Sequence, residues 1–177
     1  FKHEPHHLVV EQGRRWLGIL PLFFVKSPFL GRNLVSVPYG VYGGVLADGE
    51  VTQQALLDAA AAFGHQRKAG YVELRHLEPR PGERPCLPLY VTFRKDLPED
   101  PAAILGGIPK RARAEVRRAR DKHRIELVNS CDLELFYDLF AENKRRLGSP
   151  ALPREWFRAL VEEFGRKVAL HRAVDPD

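Results

Sequence analysis

Two stretches of the chain combine residue types that could bind a ligand. In Tyr39-Gly40-Val41-Tyr42-Gly43-Gly44 the glycines allow a backbone to come close to a bound molecule with its amides exposed, and the tyrosines offer a stacking face and a hydroxyl. Tyr39, Tyr42, Gly43 and Gly44 are therefore candidate substrate-binding residues, although the same composition also suits a turn with two core tyrosines. The second stretch, residues 110–124, holds Lys110, Arg111, Arg113, Arg117, Arg118, Arg120, Lys122 and Arg124 against only Glu115 and Asp121. Its balance of +6 exceeds the +5 of the whole chain, so the remainder is close to neutral. A cationic stripe of this kind can hold a phosphate-bearing substrate, an RNA backbone or an acidic membrane surface, and a solvated helix face looks the same. Lys110, Arg111, Arg113 and Arg117 are the candidates for meeting an anion. Arg145, Arg146 and Ser149, in the segment NKRRLGSP of residues 143–150, join them as a polar cluster at a helix end, where cations are favoured by the helix dipole in any case.

Several chemistries find no matching pattern. There is no G-x-S-x-G, and Cys86 stands between Pro85 and Leu87 with no activating neighbour. No Walker A loop and no G-x-G-x-x-G is present, so ATP and dinucleotide binding are not indicated. His3, His6 and His7 form an H-x-x-H-H cluster without a matching carboxylate in sequence, and no metal is assigned to it. Glu162 and Glu163 are consecutive on a helix and diverge, so they do not form a working pair.

Positioning these residues falls to a mixed set of elements. The 177 residues, 44% apolar and 29% charged, suit a globular protein large enough to bury a core. The longest apolar run, residues 17–25, is broken by Gly18 and Pro21 and falls short of the ~20 residues needed to cross a bilayer. The chain contains no Met and opens at Phe1 on a His/Pro segment, so both ends read as cut. Two cysteines, Cys86 and Cys131, give no disulfide framework or zinc site and suit a reducing cytoplasm. Residues 8–25 read as a hairpin, LVVEQ and WLGILPLFFV, with Pro21 at an edge or bulge of the second strand. A short strand over residues 33–37 leads into the Tyr/Gly loop. Thr52 is the expected N-cap of a helix carrying Ala55, Leu56, Ala59, Ala60 and Phe63, which Gly70 ends. Strands are expected over 71–77 and 89–93, with a Pro-rich loop between them. A boundary is placed in the acidic, Pro-containing segment 96–101. In the basic helix that follows, Ala112, Val116, Ala119 and His123 form a packing stripe beside Arg113, Arg117, Arg120 and Arg124. A strand over 125–128, a helix capped by Asp132, a second helix starting at Pro153 and a strand over 167–174 complete the reading. The final strand lacks a returning partner, and the natural protein is expected to continue beyond it.

The segments WLGILPLFFVKSPFLGRNLVSVPYGVYGG, YVELRHL, IPKRARAEVRRARDKHRIEL and FYDLFAENKRRLGSPALPREWFRAL, in this order, resemble the FemAB-like branch of the GNAT acyltransferase superfamily, in particular its members associated with exosortase/PEP-CTERM and exopolysaccharide systems. The resemblance implies an α+β fold, a GNAT-like, largely antiparallel mixed sheet flanked by helices. It also implies a first unit over 1–97, a linker and basic connecting helix over 98–124, and the opening of a second unit over 125–177. The implied activity is transfer of an acetyl, acyl or aminoacyl group, from acyl-CoA or aminoacyl-tRNA, to an amine on a small-molecule, saccharide or peptide acceptor of the cell envelope or exopolysaccharide. The donor site would lie beyond Asp177. A different class of function stays open, that of a non-catalytic module whose basic helix docks nucleic acid or an acidic partner.

Overall fold

The computed structural model describes residues 2–29, 31–78, 85–87, 91–129 and 132–175. The chain is mixed α/β and divides into two units, Phe1–Leu89 and Tyr90–Asp177, where the sequence reading places its first boundary after residue 97.

The first unit is built on one long hairpin. β1 (Glu4–Pro5) and β2 (Leu8–Gln12) run out, and β3 (Arg15–Leu20) and β4 (Phe23–Ser27) return. The pairs Glu4↔Phe24, Pro5↔Phe23, Leu8↔Leu20 and Val10↔Gly18 all share one register, so β1/β4 and β2/β3 are two halves of one ribbon. Pro21 falls opposite His7 in that register, and it has no N–H to give, so the ladder breaks there. Across the break the His6 N–H still donates to the Leu22 carbonyl at 2.7 Å. The proline reading thus holds in a stronger form, because at Pro21 the ribbon passes from one sheet to another. A second irregularity, between Val10 and Glu11, is a bulge with Leu17 as its surplus residue.

β5 (Gly31–Val35) adds antiparallel to β4, and β6 (Leu46–Ala47) adds antiparallel to β3. Next come α1 (Glu50–Gln66) and then β7 (Val72–Glu73), which returns parallel to β5. One sheet therefore runs β1-β4-β5-β7 and the other β2-β3-β6, with α1 packed against strands of both. Leu20 and Leu22, on either side of the proline, are wholly buried and meet Val45, Leu56, Leu57 and Ala60 in the core. Burial of each such leucine stabilises by about 1.5–3 kcal/mol. Thr52 is not the helix cap: Gly49 is, and the buried Thr52 hydroxyl donates to Asp48 at 3.0 Å from within the first turn. Ala55 and Ala59 face solvent, because the buried stripe follows Leu56, Leu57, Ala60 and Gly64. The strand expected over 71–77 shrinks to two residues, since beyond Glu73 the backbone turns to bond the loop that follows β5. Of the strand expected over 89–93, Val91 to Phe93 form none, and Leu89 and Tyr90 lie outside the described residues.

The second unit opens with a helix the sequence reading missed, α2 (Pro101–Gly106), capped by Asp100 accepting from the Ala102 N–H at 2.9 Å, with Pro101 at its first position. α3 (Lys110–Arg117) continues as a π-helical turn over Arg118–Lys122. β8 (Glu126–Asn129), α4 (Leu133–Arg146), α5 (Arg154–Phe164), a 3-10 turn at Gly165–Lys167 and β9 (His171–Val174) follow. β9 is not partnerless: it pairs antiparallel with β8 over four residues, which supplies the backbone hydrogen bonds that the sequence alone left open. α4 and α5 meet through a ring cluster of Phe136, Tyr137, Phe140 and Phe157.

Candidate functional site

β5 and β7 are parallel neighbours joined through α1, so their carboxyl ends lie side by side, the position where an α/β sheet characteristically places a ligand. The loop after β5 carries Tyr39 to Gly44, and the segment after β7 carries Arg75 and His76. The two are tied together. The Ser36 N–H donates to the Glu73 carbonyl at 2.9 Å, the Arg75 N–H donates to Ser36 Oγ at 2.9 Å, and the Gly43 N–H donates to the Arg75 carbonyl at 2.9 Å. The Arg75 guanidinium gives Nη1–H to the Gly40 carbonyl and Nε–H to Glu73 Oε1, both at 2.7 Å.

The loop is strained. Val37 has φ +46° and Tyr39 has φ +67°, a region that costs a residue with a Cβ about 1–3 kcal/mol and most disfavours a β-branched one such as Val37. The ties to Ser36 and Arg75 hold it in place. The glycines make close approaches, but to the chain's own residues: a Cβ at Gly43 would collide with the Val37 side chain, and one at Gly44 with the His76 ring. The amides of Gly40 and Gly43 are likewise committed within the loop and its neighbour, so neither is the exposed donor that the sequence reading gives them.

Tyr39 is 44% exposed. Its hydroxyl lies 3.0 Å from His3 Nε2, with the rings stacked at 18°. Partial burial pushes the Tyr39 phenol above its usual range and the His3 imidazolium below its usual range. At neutral pH the pair is thus a neutral imidazole against a protonated phenol, joined by one hydrogen bond. Tyr42 is half-buried. The other two histidines of the cluster go elsewhere: His6 packs on Phe63, and His7 sets its edge against Phe23. Among the described residues no three His, Cys, Asp or Glu side chains gather as a metal site. Cys86 is exposed and unbonded, and Cys131 lies outside the described residues.

The remaining candidates belong to the second unit. Lys110, Arg111 and Arg117 are exposed on α3, and Arg113 is half-buried with its Nη1–H on the Gly106 carbonyl at 3.2 Å. The stripe expected from helical spacing does not extend to Arg124, since the π-helical turn widens the helix from Arg118 and Arg124 follows it with φ +52°. Arg120 is spent on Asp121, holding that carboxyl below its usual range. Among the described residues Lys110, Arg111, Arg118, Lys122 and Arg124 make no ion pair. The expected packing stripe is open too: Val116 is 45% exposed and Ala112 and His123 are exposed. Arg145, Arg146 and Ser149 form a helix stop. Gly148, at φ +67°, donates to the Arg145 carbonyl and Ser149 donates to the Lys144 carbonyl, the two bonds of a Schellman motif. Arg146 also bonds Asn143 Oδ1 at 3.2 Å.

His3, Ser36, Arg75 and His76 are the site residues that sequence reasoning misses. His3 was visible only as part of a histidine cluster, and Arg75 only as a polar position in a strand. No protein-family model matches the chain, and no curated protein matches it.

Proposed function

We propose that this chain belongs to an N-acyltransferase of the cytoplasm, with the loop after β5 as the seat of an amine-bearing acceptor related to the cell envelope or exopolysaccharide. The observation that carries the reading is the Tyr39–His3 pair at the carboxyl ends of the parallel strands β5 and β7. Acyl transfer to nitrogen requires an amine freed of its proton beside an activated carbonyl. Neutral His3 takes the proton from the acceptor's ammonium group, and the Tyr39 hydroxyl, hydrogen-bonded to the ring, holds the imidazole in one orientation. The freed amine attacks the donor's activated carbonyl, the thioester of an acyl-CoA or the ester of an aminoacyl-tRNA. The new C–N bond forms as the C–S or C–O bond breaks, and the proton held on His3 passes to the departing thiolate or ribose oxygen. α1 opens at Gly49 between Asp48 and Glu50, whose carboxylates repel the donor's phosphates from that helix start, and the loop after β5 serves the acceptor alone.

The test is transfer by the intact protein from a panel of acyl-CoAs and charged tRNAs to amine acceptors. Tyr39→Phe and His3→Gln are each expected to lower turnover at least tenfold, and His3→Gln alone to abolish the acidic limb of the pH–rate profile. Transfer that is indifferent to both substitutions overturns the site, and no transfer from any donor overturns the activity.

A second reading rests on α3, whose exposed and unpaired Lys110, Arg111 and Arg118 suit a non-catalytic module docking on nucleic acid. Binding of single-stranded RNA that weakens steeply between 50 and 200 mM salt, with no acyl transfer, would favour it.

A further inference from the structure

We propose that the tip of the β4–β5 hairpin is a docking point for an acidic phospholipid bilayer, an inference independent of the acyl-transfer reading. The tip has the sequence Lys26-Ser27-Pro28-Phe29-Leu30-Gly31-Arg32. Ser27 pairs with Gly31 and Lys26 with Arg32, so a stem of paired backbone carries Pro28 and Phe29 at its end. Phe29 is 95% exposed, far more than a packed hairpin needs to leave its largest side chain, and a lone ring on a firm stem is suited to entering the interfacial layer of a membrane.

The charges beneath the ring point to the same partner. Lys26 and Arg32 stand directly opposite one another on one face of the sheet, and like charges in that relation repel. A single carboxylate, Glu4, serves both Lys26 and Arg67, which leaves Arg32 with no side-chain partner among the described residues. Of the two cations facing each other at the tip, only Lys26 thus has a carboxylate, and it shares that one with Arg67. Lys26, Ser27, Pro28, Gly31 and Arg32 line a shallow hollow of about 420 Å³. A phospholipid headgroup phosphate placed there relieves the repulsion between Lys26 and Arg32, while its acyl chains receive Phe29. A nucleic acid would satisfy the cations but would leave the apolar tip in water, and a bilayer satisfies both.

The experiment is co-sedimentation of the whole protein with phosphatidylcholine vesicles, with and without about 30% phosphatidylglycerol. The expected result is binding to the acidic vesicles only, reduced about tenfold or more by Phe29→Ala and about fivefold by Arg32→Ala. Val51→Ala, which trims an 87% exposed side chain on α1, is expected to change nothing. Unchanged binding in Phe29→Ala, equal binding to neutral vesicles, or an equal loss in Val51→Ala overturns the proposal. Saturable binding of millimolar inorganic phosphate, lost in Arg32→Ala, without sedimentation on acidic vesicles would assign the hollow to free phosphate. Self-association abolished by Phe29→Ala would assign the tip to a second copy. Either result overturns the bilayer.

Discussion

Arg75 makes three connections at once, through its amide to Ser36 Oγ, its carbonyl to Gly43 and its guanidinium to Gly40 and Glu73. Removing the side chain frees the carbonyl of Gly40 beside two residues held at positive φ. Arg75→Ala is therefore expected to cost about 1–3 kcal/mol in urea denaturation, the range for a charge-assisted bond, and to weaken acceptor binding more than Arg75→Lys does. A second residue-scale prediction concerns pH. The hydrogen bond from Lys26, together with the nearby charges of Lys26 and Arg67, holds the Glu4 carboxyl below its ordinary value of 4.5. The unfolded chain then binds the proton first, so this contribution is full above about pH 4.5 and is lost as pH falls through the lowered folded value. His3 acts in the same direction from its ordinary 6.5 downward, because burial disfavours its charged form. Glu4→Gln should flatten the acid limb of stability followed by circular dichroism. The Tyr/Gly loop was legible in the sequence because its residues are contiguous. Its partners His3, Arg75 and His76 come from remote segments that only the folded sheet brings together.

Among the elements, α4 shows how far local chemistry carries. Asp132 accepts from the Leu135 N–H at 3.0 Å, and Gly148 closes the helix with left-handed backbone. Asp132→Ala and Gly148→Ala should each lower the stability of this helix by about 1 kcal/mol, seen as earlier loss of ellipticity on heating. Both ends could be read from the sequence, since a cap is a matter of two or three adjacent residues. The break at Pro21 was readable for the same reason. What could not be read was longer in range: the return of β9 to β8, across 41 residues from Asn129 to His171, and the shortening of β7, which loop bonding dictates. The arginine stripe failed differently, because spacing assumes 3.6 residues per turn and the chain inserts a π-helical turn after Arg117.

At the scale of the molecule the two units differ in how they are held. The first has a core whose leucines at 20, 22, 34 and 56 are at most 1% exposed. In the second, none of the described residues is buried, and the α4–α5 ring cluster and one two-stranded sheet carry the packing. Two paired strands alone are marginal in water. Hydrogen exchange of the whole chain should therefore protect the amides of β3, β5 and α1 by at least a hundredfold more than those of β8 and β9, and equal protection would contradict this difference in anchoring.

The ribbon interrupted at Pro21 has one more consequence. Its strands enter two sheets without changing alignment at the break, so neither sheet can slide by a residue unless the other slides with it. A slip would turn Leu20, Leu22 and Phe24 outward together. By dividing its ladder without dividing its register, the chain makes a misaligned half too costly to survive, and a single correct zippering of the N-terminal ribbon commits both layers around α1.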